Sequence, residues 1–184
     1  MSETGKIHVL FISSWFPSKS EPFNGNFVLR HAEAVAEYAI VSFANVTSDP
    51  LEDKSKLLIS DKIKIYEKIL SKNHFFKIIR FLQIQFFYFK LLKRISQENG
   101  RPDIIHANVV FPSAVYAYIL KVFTGIPYII SEHWTGHLPA TRVKQSFFTL
   151  FLSKIATWSA SAVCPVTENL KNAMINKGLK GIYH

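Results

Sequence analysis

Apolar runs alternate with amphipathic stretches along the chain, and their periods predict alternating strands and helices. Residues 7–13, IHVLFIS, are apolar on both faces and stop at Ser13-Ser14, the pattern of a strand buried on both sides. A loop with Pro17, Pro22 and Gly25 follows. The spacing then predicts a helix over Phe27–Tyr38, with Phe27, Ala34, Val35 and Tyr38 on one side and Arg30, Glu33 and Glu37 on the other. Residues 39–45, AIVSFAN, predict a second strand, and 46–62 a polar loop. KIKIYEKI at 62–69 alternates as an edge strand does, and a long helix is predicted over 73–98.

The second half repeats the theme. Pro102 precedes a strand at 103–107, and Pro112 opens a helix through Phe123 that Gly125 closes. Further strands are predicted at 127–131 and 161–166, with a helix at 143–159 between them. Thr167 caps a last helix through Asn176, which Gly178 ends. The final GLKGIYH (178–184) begins what reads as another strand, so a second domain is expected to follow. Doubly apolar strands alternating with helices require a mostly parallel sheet with helices on both faces. Right-handed crossovers make it a doubly wound, Rossmann-like α/β fold, here a single domain over residues 1–184.

Composition adds three limits. With 48% hydrophobic and 19% charged residues, the chain can bury a sizeable core. The net charge of +9 resides in one segment: residues 54–101 hold 12 basic and 3 acidic groups, and the remainder balances. The single cysteine, Cys164, excludes an internal disulfide and any multi-cysteine metal site, and its apolar setting reads as a buried thiol rather than a nucleophile. No signal peptide and no membrane-spanning stretch is recognisable, so a cytoplasmic location is expected.

In an open parallel sheet, ligands bind beyond the carboxyl ends of the strands. After the first strand, Gly25 and Asn26 precede a helix, with Asn26 as the expected N-cap. Free amides there favour a phosphate, although a glycine can equally complete a turn. After the fourth, His106 and Asn108 face the same side, as ligand groups or as satisfied core residues. After the fifth come Glu132, His133 and Trp134, polar groups that would be costly to bury unpaired. His133 suits acid–base or hydrogen-bonding chemistry and Trp134 suits stacking on a sugar, unless the group is a structural cluster. His137, on the same loop, is expected to add little. Thr167 caps the final helix and points into the same crevice. No glycine-rich dinucleotide or P-loop motif and no metal-ligand spacing is present, so neither metal nor cofactor is expected.

Three stretches together, IHVLFISSWFPSKSEPFNGNFVLRHAEAVAE (7–37), PDIIHANVVFPSAVYAYILKVFTGIPYIISEH (102–133) and ASAVCPVTENLKNAM (160–174), resemble the N-terminal domain of a GT-B glycosyltransferase of family four. The resemblance implies a two-domain enzyme that moves a sugar from a UDP- or GDP-sugar to a glycan or lipid-linked acceptor, with retention and without a required metal. It places the Gly25 loop near the donor diphosphate, His133 near the transferring sugar, and the other residues on the acceptor side. The nucleotide-binding half lies outside this chain, so these 184 residues alone are expected to be inactive. Asn108 stands where the family often has a second histidine.

KNHFFKIIRFLQIQFFYFKLLKR (72–94) stands apart. As a helix it sets Lys77, Arg80, Lys90, Lys93 and Arg94 along a polar stripe beside many phenylalanines. Such a helix packs with a solvated basic edge, covers a partner chain, or enters the interface of an anionic membrane. No motif supports nucleic-acid binding. The competing reading of the whole chain is a standalone Rossmann-like module that binds an anion or a membrane without catalysis.

Overall fold

The computed structural model describes residues 5–17, 20–21, 23–47, 56–59, 62–70 and 77–184, and the chain divides into two units, one ending at Ile104 and one beginning at Ile105. In the first unit the strands are β1 (His8–Ser13), β2 (Ile40–Thr47), β3 (Lys56–Ile59) and β4 (Lys64–Ile69), and the helices are α1 (Asn26–Val35) and α2 (Lys77–Asn99). Their order is β3-β4-β2-β1. β1 pairs in parallel with β2, from His8 beside Ile40 to Ser13 beside Asn45, and β2 pairs in parallel with β4. β3 runs antiparallel to β4.

This corrects two expectations. The stretch 46–62 is not all loop, because four of its residues form β3, too short a run to stand out among charges. β4 is therefore an inner strand, not an edge. Its alternation misled because its lysines reach out along a covered face: the Lys68 ammonium lies 5.1 Å from the Phe87 ring centroid, and Lys64 donates to Asn99 Oδ1 at 2.7 Å.

Each face of this sheet buries its own helix. Val9, Phe11, Val41, Phe43 and Ile65 pack with Val28 and Ala32 of α1 and with Phe16, and the Phe11 and Phe43 rings stack at 6.1 Å. On the other face α2 closes a polar network. His8 Nε2 and Ser42 Oγ are 2.9 Å apart, and Asn99 Nδ2 donates to Ser42 Oγ and to the Tyr66 hydroxyl, which donates to Glu98. Burial, then the Glu98 hydrogen bond, pushes the Tyr66 hydroxyl up to about 12.

Burial also holds the imidazoles of His8 and His31 below their ordinary value of 6.5. Below pH 6.5 the unfolded chain therefore binds protons that the folded chain does not, and stability falls. The urea midpoint is expected to be lower at pH 5.5 than at pH 7.5, with a smaller difference in His8→Asn. Equal midpoints would contradict this account.

The second unit contains β5 (Ile104–Asn108), whose first residue belongs to the preceding unit, then α3 (Val115–Thr124), β6 (Tyr128–Glu132), α4 (Phe147–Ser159), β7 (Ala162–Pro165) and α5 (Glu168–Asn176). β5, β6 and β7 pair in parallel in that order. Gly125, at φ +73°, closes α3 as its position predicts. α3 starts later than Pro112, because residues 110–114 form a π turn. The tail of the chain adds a parallel bridge from Tyr183 to Val163. Cys164 is half-buried, and burial pushes its thiol up, which keeps it protonated and poorly nucleophilic.

Candidate active site

In the first unit, Ser13 Oγ accepts from the Trp15 amide at 3.0 Å and turns the chain out of β1. The loop returns to α1 at Gly25, which is buried with φ +68°. A Cβ there would lie 2.3 Å from the Trp15 carbonyl oxygen and 2.8 Å from the Phe16 nitrogen, so the close approach of backbone to backbone requires glycine. Gly25 itself is the N-cap. Asn26, expected in that role, is the first helical residue, and the N-cap glycine has no side chain to cap with. No acidic residue occupies the first turn, so the positive end of the helix has no carboxylate of its own.

Beside this loop the sheet ends in a polar row that went unnoticed in the sequence. Ser13, Asn45 and Glu67 are in register on adjacent strands, and all three are buried. Asn45 Nδ2 donates to Glu67 Oε1 at 2.8 Å, whereas Asn45 Oδ1 has no hydrogen-bond partner. A signal was present: in Ile63, Ile65, Glu67, Ile69 a carboxylate takes an apolar position.

In the second unit, β5 and β6 bring Asn108 beside Ser131, and His106 Nε2 lies 2.8 Å from Ser131 Oγ. Asn108 is fully buried and neither of its amide atoms has a hydrogen-bond partner. The next residue, Val109, has φ +66° and ψ 144°, a conformation that costs a β-branched residue about 1–3 kcal/mol.

Glu132 holds the neighbouring turns. Its carboxylate is fully buried and accepts from the Val110 amide through Oε2 at 2.8 Å and from the Trp134 amide through Oε1 at 2.6 Å. One side chain thus ties the end of β5 to the end of β6 and spans the backbone of His133. His137 Nε2 stands 3.4 Å from Glu132 Oε2, and the His137 ring meets Trp134 edge-on at 5.0 Å. His137, expected to add little, is therefore buried inside the cluster. The Trp134 ring lies over Gly136, where a Cβ would come within 2.2 Å of it. Lys177 donates to the Gly136 carbonyl at 3.0 Å.

Glu132→Ala would orphan two amides, so a loss of about 3 kcal/mol is expected in denaturant titration. A loss under about 1 kcal/mol would show that the carboxylate is not the latch.

The remaining predicted residues divide by role. Thr167 Oγ1 accepts from the Leu170 amide at 3.1 Å, so it caps α5. In the basic aromatic segment, residues 72–76 lie outside the described residues. From Lys77 onward the first half of α2 exposes Ile78, Ile79, Leu82 and Phe86, and the second half buries Tyr88, Leu91, Leu92 and Ile95. Lys77, Lys90 and Lys93 are exposed. Arg80 donates to Gln83 at 3.1 Å, and the Lys90 ammonium sits 4.7 Å from the Phe86 centroid. Arg94 binds Glu98 at 2.7 Å and lies over Tyr66, so it serves the fold. Among the described residues no helix is long and apolar enough to cross a membrane.

The sequence profile of Glycosyltransferase Family 4 matches residues 30–182. No curated protein matches the chain by sequence. Among solved structures, sucrose-phosphate synthase from Thermosynechococcus elongatus superposes with a TM-score of 0.71 at 15% identity, covering 97% of this chain and 47% of its own. UGT89C1 of Arabidopsis thaliana complexed with UDP gives 0.59 at 12% identity, covering 96% and 50%. The UDP-GlcNAc 2-epimerase of Methanocaldococcus jannaschii gives 0.53 at 12% identity, covering 95% and 43%. At these identities the likeness is one of fold, a Rossmann-like α/β domain of the GT-B kind. The chain spans about half the length of these proteins.

Proposed function

Because the chain belongs to glycosyltransferase family 4, we propose that it is the acceptor-side half of a two-domain enzyme transferring a sugar from a UDP- or GDP-sugar to a glycan or lipid-linked acceptor. The reaction proceeds with retention and needs no metal, and it serves surface polysaccharide or lipopolysaccharide assembly on the cytoplasmic side of the cell membrane. UGT89C1 was solved with UDP, the same class of donor product.

The observation that carries this reading is the Glu132 latch, which fixes His133 and Trp134 at the carboxyl end of β6. As the sugar leaves, negative charge grows on the diphosphate. Preorganised donors aimed at that charge lower the barrier. The α1 N-terminus behind Gly25, with no acidic residue in its first turn, supplies oriented amides for the diphosphate. His133 donates to the transferring sugar, and Trp134 offers a ring face for stacking. In the second unit, His106 and Asn108 supply hydrogen-bonding groups for acceptor hydroxyls. Lys77, Arg80, Lys90 and Lys93 on α2 meet anionic headgroups, where each basic residue contributes about 1 kcal/mol.

The test is titration of the full-length protein with UDP- and GDP-sugars, followed by nucleotide release on adding glycan or lipid-linked acceptors. Binding of one donor class and acceptor-dependent release are expected. No binding and no release with any acceptor would overturn the assignment.

A further inference from the structure

Helix α4 is amphipathic the wrong way round. Its inner side is made of Ser153, Ala156 and Thr157, all buried. Its outer side carries Phe147, Phe151 and Trp158, which are 87%, 50% and 77% exposed, with Phe148 at 63%. Positions 147, 151, 154 and 158 fall on one helical stripe, so the three rings and Lys154 share a face. Lys121 donates to the Ser159 carbonyl at 2.6 Å and draws the end of α3 to the end of α4. There Val122 and Phe123 are also exposed, at 60% and 73%. Small residues inside and large aromatic ones outside is the reverse of what folding alone would select, because the rings would gain most from burial.

The charges around this face select what covers it. Arg142, Lys144 and Lys154 are exposed, and no Asp or Glu occurs between Glu132 and Glu168. A second copy docked face to face would set Lys154 against its own image with no nearby carboxylate in this stretch to meet it. An anionic lipid surface meets both demands: acyl chains take the rings, and phosphates take the flanking cations. We propose that the outer face of α4 seats in the headgroup–acyl boundary of an anionic bilayer, with Phe147, Phe151 and Trp158 as the inserted side chains. This contact is additional to the α2 contact and independent of the reaction assigned above.

The experiment is co-sedimentation of the full-length protein with vesicles of phosphatidylglycerol and phosphatidylcholine, or of phosphatidylcholine alone. Binding to the anionic vesicles is expected, weakened by salt and lowered at least about a hundredfold in Phe147→Ser/Phe151→Ser/Trp158→Ser. Bilayer lipids brominated near the headgroup are expected to quench wild-type tryptophan fluorescence, and Trp158→Phe to remove most of that quenching. This measurement does not depend on the triple variant folding. Ile78→Ser/Leu82→Ser on α2 is the comparison. If binding is lost there but unchanged in the α4 variant, the α2 contact stands and the α4 proposal fails. Absence of binding, equal binding to both vesicles, or a dimer that the triple variant dissolves would each overturn it. Turnover of a soluble acceptor, expected to be equal in wild type and triple variant, keeps failure of this proposal distinct from failure of the transferase reading.

Discussion

His133→Ala in the full-length protein is expected to lower kcat by about a hundredfold or more while leaving the melting temperature within a degree or two, the scale of losing one preorganised donor at a developing charge. The expectation rests on position. His133 lies in the two-residue span that the Glu132 carboxylate closes onto the Trp134 amide, so a neighbour holds its backbone. The residue as a whole is half-buried, although its Nε2 is shielded from solvent, so removing the ring costs only part of the packing of a core side chain. The loss is expected in kcat more than in KM, because the interaction strengthens as the leaving group takes charge. His133→Gln keeps a donor and is expected to recover part of the rate. Unchanged kinetics in the alanine variant would remove His133 from the site.

Gly25→Ala is expected to destabilise by about 3 kcal/mol, roughly a 10 °C fall in Tm for a chain of this size. Two effects add. The positive φ costs an L-residue about 1–2 kcal/mol, and the new methyl group meets the Trp15 carbonyl, which is backbone and cannot swing away. Gly100 separates them: it also has a positive φ, +83°, but nothing lies within 4 Å of its Cβ position. Gly100→Ala is therefore expected to lose only the smaller, conformational part. Equal Tm changes would mean that the contact with Trp15 contributes nothing. In the full-length protein Gly25→Ala is also expected to weaken donor binding, since the loop must move off Trp15 to make room.

Much of this molecule could be read before its structure. Strands apolar on both faces, such as β1 and β6, and helices ended by Gly125 and Gly178 are local signals, because burial of both faces and the positive-φ glycine each leave a mark within a few residues. Glu132, His133 and Trp134 stood out for the same reason, as polar groups ending an apolar strand. β3 escaped because four residues among charges carry too little periodicity. The pairing of Asn45 with Glu67 escaped because it joins strands 22 residues apart.

Pattern alone therefore determined that this chain is a Rossmann-like α/β protein and which residues end its strands, and the resemblance of three stretches pointed to a sugar-transferring family. Tertiary structure decided what those residues do: that Glu132 gives both oxygens to backbone amides, that Gly25 touches Trp15, and that α4 turns its rings outward. A hydrophobic period reports how a segment divides its own faces. Which neighbour covers each face depends on contacts between segments far apart in the chain, and no local pattern encodes them.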